Sequence, residues 1–310
     1  MLRAGKQLEL AQVHKMQIEG KGVGIAVFDT GLSAQHPDFS DKEKIVAFED
    51  FVKQRVGCYD DNGHGTHVAG IAAGTGIASA GLYKGVAPKS RLIVLKVLDH
   101  QGNGNVETVL RGVDWVLKNR MKYGIQVVNI SVGTGKDEDI GEESELVQGV
   151  EAMWNAGLVV CVAAGNNGPT PGSIGAPGNS RKVITVGACD DGEEVILNGR
   201  SMKNYSGRGP TKRCIKKPDL VAPGSKIISC NAAFSKKKGF YVGNTAYYIE
   251  KSGTSMATPM VAGAVALLLG EYPEMGNREV KIRLKNRAVD LGLPHEIQGW
   301  GQLNIKKLLC

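Results

Sequence analysis

The sequence predicts an α/β fold of three layers, in which a mainly parallel, twisted sheet carries helices on both faces. Five short, mostly apolar runs are typical of buried strands; they cover residues 23–28, 91–98, 126–130, 158–164 and 183–189. Three helical patterns alternate with these runs or follow them, at residues 106–118, 146–157 and 260–269. A chain of 310 residues can build one large core, so we expect a single domain over residues 1–310.

Residues 1–20 have a polar, helix-like pattern that ends at Gly20-Lys21-Gly22. We expect them to form an extension packed on the outside of the domain. They lack the apolar centre of a signal peptide, and no apolar run in the chain reaches the ~18 residues that span a bilayer. These features predict a cytoplasmic protein without a membrane partner. The alternative is a secreted protein whose leader and propeptide have been removed.

The first strand ends in an acid and a glycine turn, Asp29-Thr30-Gly31. Functional groups of parallel sheets collect at the carboxyl ends of strands, so Asp29 is a candidate site residue. A glycine-rich turn then enters a helix of small residues, in which His64 and His67 stand three positions apart. Paired histidines suggest a metal, but no glutamate stands at the metalloprotease spacing. We therefore predict no metal in this site.

Ser255 lies at the mouth of the apolar helix pattern at residues 260–269. One interpretation is a helix N-cap, in which the hydroxyl satisfies a free backbone N–H. The other is a nucleophile, whose own N–H at the positive end of the helix dipole helps to bind an oxyanion. A serine nucleophile needs a base and a group that orients the base, and the chain contains a histidine and an aspartate in suitable settings at His64 and Asp29.

Three motifs, Asp29-Thr30-Gly31, His64-Gly65-Thr66-His67 and Gly253-Thr254-Ser255-Met256-Ala257, resemble those of the subtilisin-like serine proteases. They stand in that family's chain order of Asp, His and Ser. The resemblance extends from about Gly20 to about Leu308, and bacterial members without a signal peptide are the most similar. It implies a serine endopeptidase that acts through an acyl-enzyme, with Asp29, His64 and Ser255 as the catalytic triad and His67 in a structural role.

The same resemblance assigns an oxyanion hole and two substrate-binding segments. Asn166 matches the family's oxyanion-hole asparagine, and its alternative role is that of a turn residue. Gly102-Asn103-Gly104 and Ser131-Val132-Gly133 would form two rails that hold a polypeptide substrate by main-chain hydrogen bonds.

A side-chain pocket is implied beside these rails. Gly165 and Gly175 belong to the predicted substrate-binding set, and Gly175 leaves the pocket deep. Asn167 leaves its rim uncharged. We therefore expect a preference for large apolar or aromatic residues on the acyl side of the cut.

No cofactor is required for this chemistry, but many family members hold a structural calcium ion. Asp38 matches an acid that helps to bind it, and the corresponding loop falls at residues 78–83. This loop lacks the asparagine that commonly contributes a side-chain oxygen, whereas calcium prefers several oxygen ligands. A structural calcium ion therefore stays an open alternative. Family members are usually made with an N-terminal propeptide, which would be a partner in addition to polypeptide substrates.

The six cysteines are scattered, at positions 58, 161, 189, 214, 230 and 310, and none belongs to a C-x-x-C pair. We predict free thiols and no zinc, which favours a reducing compartment. The net charge is +7, with basic clusters at residues 212–217 and 236–238. No nucleic-acid motif accompanies these clusters, so we predict no nucleic-acid partner.

Two other function classes compete with the protease. A catalytically silent subtilisin-like module would serve in binding or regulation, but the intact triad and Asn166 weigh against it. A nucleotide-binding protein would place its glycine cluster after the first strand, whereas Gly20-Lys21-Gly22 precedes that strand.

Residues 229–251 form a segment longer than in the compact members of the family. Aromatic residues favour strands, and this segment contains Phe240, Tyr241, Tyr247 and Tyr248. We expect a β-hairpin here, close to Ser255.

Overall fold

The computed structural model describes residues 1–133, 141–197, 199–233 and 247–310. The strands of this part of the chain are β1 (Gly24–Asp29), β2 (Ile45–Asp50), β3 (Arg91–Lys96), β4 (Ile125–Ile130), β5 (Val159–Ala163), β6 (Ile184–Ala188), β7 (Val195–Leu197), β8 (Arg200–Met202), β9 (Leu220–Ala222), β10 (Ile227–Cys230) and β11 (Tyr248–Lys251). The α-helices are α1 (Leu2–Gln7), α2 (Leu10–Lys15), α3 (His64–Ala73), α4 (Val106–Tyr123), α5 (Glu145–Asn155), α6 (Thr254–Glu271), α7 (Asn277–Arg287), α8 (His295–Gln298) and α9 (Ile305–Leu309).

Seven strands form one sheet in the order β2-β3-β1-β4-β5-β6-β9, and every neighbouring pair is parallel. The central strand β1 is wholly buried, as expected for a strand covered on both faces. Its register places Phe28 beside Ile130 of β4 and Asp29 beside Lys96 of β3. The carboxyl ends of β3, β1 and β4 therefore lie side by side at one edge of the sheet.

Helices cover both faces of this sheet. α3 and α6 pack against each other, and α6 crosses β4, β5 and β6. α4 and α5 pack against each other and against β4 and β5 on the opposite face. The predicted three-layer α/β fold is confirmed.

The helix α6 is the core helix of the domain. By length and composition alone it could cross a membrane, with a mean hydropathy of 1.3, but 83% of it is buried inside the protein. Its small residues allow close packing: a Cβ on Gly263 would lie 2.6 Å from the Cβ of Val86. The apolar character of α6 is therefore explained by its place in the core.

The helix α4 is longer than the predicted range of 106–118. The Asn105 side chain accepts the Thr108 N–H at 2.8 Å, which caps the first turn. The helix continues to Tyr123 and ends where Gly124 adopts a left-handed conformation.

The N-terminal residues form α1 and α2 on the surface of the domain. Their apolar side chains, including Met1, Leu8, Leu10 and Val13, are buried in the same core as the sheet. The Met1 amino group donates to the Ile228 carbonyl at 2.7 Å. This extension is therefore an integral part of the packed domain.

The strands β10 and β11 pair in antiparallel fashion, with Cys230 opposite Tyr248, so the two arms of the predicted hairpin are confirmed. Phe240, Tyr241 and the basic cluster at 236–238 lie outside the described residues.

All six cysteines are free, as predicted. The compartment inferred from these thiols stays a prediction.

Candidate active site

Asp29 is the last residue of β1 and is fully buried. Its Oδ1 atom accepts the Thr30 N–H at 2.8 Å and lies 2.7 Å from His64 Nδ1. A carboxylate only accepts hydrogen bonds, so Nδ1 must carry the proton of this contact. The neutral imidazole then has its lone pair on Nε2, which leaves that atom able to take a proton.

His64 is the first residue of α3 and follows Gly63, whose left-handed conformation starts the helix. The helix approaches β1 closely, because a Cβ on Gly65 would clash with the Gly31 carbonyl oxygen. The His64 side chain is 25% exposed, whereas the Asp29 side chain beside it is 0% exposed. The imidazole is therefore held from behind by a buried carboxylate and open on its other side.

Ser255 lies in the first turn of α6, just after Gly253, which has a φ of 135° that favours glycine. Within the described part of the chain, its hydroxyl donates to the Ser131 carbonyl at 2.7 Å and makes no hydrogen bond to His64. Ser131 directly follows β4, beside the end of β1 that bears Asp29. A turn of the Ser255 side chain about χ1 would redirect the hydroxyl, and catalytic hydrogen bonds are often unformed before substrate binds.

Asn166 follows β5 and reaches the start of α6. Its Oδ1 accepts the Thr254 N–H at 3.0 Å and the Thr254 hydroxyl at 3.1 Å. These two donors fix the orientation of the amide and reserve its NH₂ group for another acceptor. A Cβ on Gly253 would lie 3.3 Å from Asn166 Nδ2, so the NH₂ group lies beside the backbone that leads into Ser255. Together with the backbone N–H of Ser255 in the first helical turn, it can bind an oxyanion.

The two predicted rails follow β3 and β4, which flank β1 on either side. Residues 102–104 are exposed, and the nearby His100 carbonyl accepts a hydrogen bond from the Asn62 side chain at 3.1 Å. Because neighbouring strands are spaced ~4.8 Å apart, strands on both sides of β1 are roughly 10 Å apart. That separation admits one extended peptide between the rails.

The predicted pocket residues also lie together. A Cβ on Gly165 would lie 3.6 Å from the Gly175 nitrogen, and a Cβ on Gly133 would lie 3.4 Å from the Ala176 carbonyl oxygen. The end of the second rail therefore borders the walls that contain Gly165 and Gly175.

His67 lies one turn along α3 and is fully buried. Its Nε2 atom lies 3.0 Å from the carbonyl oxygens of both Ile227 and Ile249. Burial lowers the pKa of His67 to about 3, so the ring is neutral and donates to these carbonyls. His67 thus joins α3 to β10 and β11, as a structural residue would.

Asp60 is not among the site residues predicted from the sequence, because an aspartate in a turn gives no signal of a catalytic role. Its Oδ1 accepts from the Thr30 hydroxyl and the Gly63 N–H, at 2.9 and 2.8 Å. Its Oδ2 accepts the N–H and the hydroxyl of Thr66, at 2.9 and 2.6 Å. Burial opposes ionisation of Asp60, but these hydrogen bonds outweigh it and lower its pKa. Asp60 therefore ties the residues that flank Asp29 to those that flank His64.

Residues 20–301 match the subtilase family. The chain belongs to this family. It is 44% identical over 277 residues to "Serine protease AprX" from Bacillus subtilis (strain 168), covering 87% of this chain and 62% of AprX. It is also 34% identical to "Subtilisin DY" from Bacillus licheniformis, covering 92% of this chain and 91% of that protein. These relatives support serine endopeptidase activity for the subtilase described here.

Solved structures agree with this assignment. "Sphericase" matches with a TM-score of 0.74 and 31% identity, covering 92% of each chain. A cold-adapted subtilisin-like serine proteinase matches with a TM-score of 0.70 and 29% identity, covering 92% of this subtilase and 89% of that chain.

Calcium binding is common among subtilases, and Asp38 is the residue that the sequence relates to it. The Asp38 carboxylate is buried and faces hydrogen-bond donors from Gly76, Ala78, Cys230 and Tyr248. Calcium requires oxygen ligands with free lone pairs. The residues around Asp38 therefore do not fit a calcium ion.

Proposed function

We propose that this subtilase is a serine endopeptidase in which Ser255 is the nucleophile, His64 the general base and Asp29 the group that orients the base. The observation that carries the proposal is the 2.7 Å contact between the buried Asp29 carboxylate and His64 Nδ1. It sets the tautomer that leaves Nε2 basic, at the sheet edge where Ser131 meets Ser255. A binding module would have no need of this tautomer.

The reaction begins when substrate enters and the Ser255 hydroxyl turns from the Ser131 carbonyl toward His64. The Ser255 oxygen forms a bond to the peptide carbonyl carbon while His64 Nε2 takes the hydroxyl proton. His64 then gives this proton to the peptide nitrogen, the C–N bond breaks, and an ester remains on Ser255. Water, deprotonated by His64, hydrolyses the ester and restores the serine. Asp29 stabilises the imidazolium ion present in both halves of the reaction.

Asn166 and the N–H of Ser255 would bind the oxyanion that forms when the serine attacks. Thr254 supports this role, because its two donors hold the Asn166 amide oxygen and leave the NH₂ group available. Donors fixed in advance lower the barrier, since they need no reorganisation when charge develops on the oxygen.

The substrate is a polypeptide held between residues 102–104 and 131–133 by its main chain. Such contacts bind any extended sequence, so selectivity falls to the pocket. Its walls contain Gly165, Gly175 and Ala176, which leave space and contribute little charge. We therefore propose a preference for Phe, Tyr or Leu on the acyl side of the cut.

Peptide-library cleavage read by mass spectrometry tests both parts of this proposal. We expect cuts that mostly follow Phe, Tyr or Leu, and no cuts by a Ser255→Ala variant purified in the same way. A profile dominated by Lys or Arg would contradict the pocket assignment. Undiminished cleavage by Ser255→Ala would contradict the mechanism, and an absence of cleavage by the parent protein would favour a catalytically silent module.

A further inference from the structure

Asp38 lies in a buried cluster where four parts of the chain meet, apart from the triad. It belongs to the short helix Pro37–Phe39, which faces residues 74–83, the segment that directly follows α3. Cys230 at the end of β10 and Tyr248 at the start of β11 complete the cluster. All three side chains are at most 4% exposed.

Four donors converge on the Asp38 carboxylate. The Gly76 N–H donates to Oδ2 at 3.0 Å and the Ala78 N–H to Oδ1 at 3.1 Å. The Tyr248 hydroxyl lies 2.9 and 3.0 Å from the two oxygens, and Cys230 Sγ lies 3.4 Å from Oδ2. An ionised carboxylate offers about four lone-pair positions, so these donors occupy the positions that a cation would need.

The segment after α3 also uses its own carbonyl groups internally. The Gly76 carbonyl accepts the N–H groups of Ser79 and Gly81, at 3.0 and 2.8 Å, and the Ile77 carbonyl accepts the Ala80 N–H at 3.2 Å. These bonds close a tight turn around the short helix Ile77–Ser79. The segment thus turns the N–H groups of Gly76 and Ala78 toward Asp38, whereas the Gly76 and Ile77 carbonyl oxygens are used within the turn.

A transition metal is also disfavoured at this position. His36, Asp38 and Cys230 have candidate ligand atoms within 4.8 Å of one another. However, His36 Nδ1 accepts the Asp38 N–H at 3.2 Å, and the Cys230 sulfur faces the Asp38 carboxylate as a donor. A metal would have to displace both hydrogen bonds and remove the thiol proton.

We propose that this cluster fastens residues 74–83, and with them the end of α3, to β10 and β11 by protein hydrogen bonds alone. The cluster is centred on Asp38, the acid that the resemblance to the family relates to calcium binding. Gly74 shows how close the packing is, because a Cβ there would lie 3.3 Å from Asp38 Oδ2. The Tyr248 ring also contacts the Tyr83 ring at a tilt, with ring centroids 4.8 Å apart. This side chain therefore links β11 to the segment directly through Tyr83 and indirectly through Asp38.

Thermal unfolding with and without calcium tests the proposal on the full chain carrying Ser255→Ala, which prevents self-digestion and makes the result independent of the proposed function. We expect Tyr248→Phe to lower Tm by about 2–6 °C, because it removes one buried donor to a charged acceptor. The loss should be equal in EDTA and in excess calcium chloride. Tyr83→Phe is the matched control: its hydroxyl makes no hydrogen bond within the described residues, so Tm should stay unchanged.

A second variant reports on the ion directly. Any rise in Tm that calcium causes in the parent should be the same in Asp38→Asn, since the ion would then act elsewhere. A calcium effect that shrinks in Asp38→Asn, or a Tyr248→Phe loss that disappears in calcium, would overturn the proposal. The same would follow if zinc raised Tm in the parent but not in Cys230→Ser. If Asp38→Asn does not fold, the Tyr248→Phe comparison decides alone.

Discussion

Asn166 is the side chain whose proposed role separates transition-state binding from substrate binding. Its amide oxygen is held by Thr254, so the NH₂ group is fixed before any charge forms. We expect Asn166→Ala to lower kcat by about 10²–10³, the size found for the equivalent donor in subtilisin. KM should change much less, because the oxyanion exists only in the transition state.

Steady-state kinetics on a peptide substrate measures both constants. Thr254→Ser is a suitable control, since it keeps the N–H and the hydroxyl that orient the amide. A change confined to KM would show that Asn166 is a substrate contact and not an oxyanion donor.

At the scale of elements, Asp60 connects the end of β1 to the start of α3 through the hydrogen bonds it accepts from Thr30, Gly63 and Thr66. Asparagine can accept at only one of the two oxygen positions and would place a donor at the other. We expect Asp60→Asn to shift His64 relative to Asp29 and to lower kcat about 10- to 100-fold with little change in KM, since small misplacements of catalytic groups have effects of this size.

The low-field proton NMR signal of the His64 Nδ1–H group reports this geometry directly. It should move or broaden in Asp60→Asn and stay unchanged in Asp290→Asn, a control that alters an aspartate bonded to the Gly292 N–H at 2.9 Å. An unaltered signal together with full activity would show that Asp60 does not position the histidine.

At the scale of the whole molecule, α1 and α2 are predicted to stabilise the domain without taking part in catalysis. Leu8, directly after α1, is 0% exposed in the shared core, whereas Leu2 at the start of α1 is 47% exposed. We expect Leu8→Ala to lower the free energy of unfolding by about 2–5 kcal/mol, while kcat of the folded enzyme stays at the parent value.

Denaturant unfolding of the Ser255→Ala background measures the stability, and Leu2→Ala serves as the exposed control. Equal stabilities of the two variants would mean that the N-terminal extension is not coupled to the core.

How well the sequence predicts a structural feature depends on how close together along the chain the residues that form it are. The buried strands were predicted because β5 is a continuous apolar run and β1 and β4 are mostly apolar. In contrast, β2 is half-exposed and β9 has three residues, so neither stands out. The triad was predicted because each member lies in a short motif. The contact of Ser255 with the Ser131 carbonyl was not, because a side-chain rotamer depends on neighbours that are distant along the chain.

The surroundings of Asp60 and of Asp38 also depend on contacts between residues that are distant along the chain. Asp60 looks like an ordinary turn residue until its partners Thr30 and Thr66 come together. Asp38 matches a calcium ligand in sequence, but Tyr248, 210 positions away along the chain, changes its surroundings. Sequence motifs predict which residues are present, whereas these bonding partners become apparent only in the folded chain.

The central claim, that Ser255 is a nucleophile activated by His64 and Asp29, is tested most directly by labelling with a fluorophosphonate probe and locating the adduct by mass spectrometry. We predict one adduct, on Ser255, with labelling that is lost after denaturation and strongly reduced in His64→Ala. An unlabelled Ser255 in folded protein, or labelling that persists at full rate in His64→Ala, would contradict the claim.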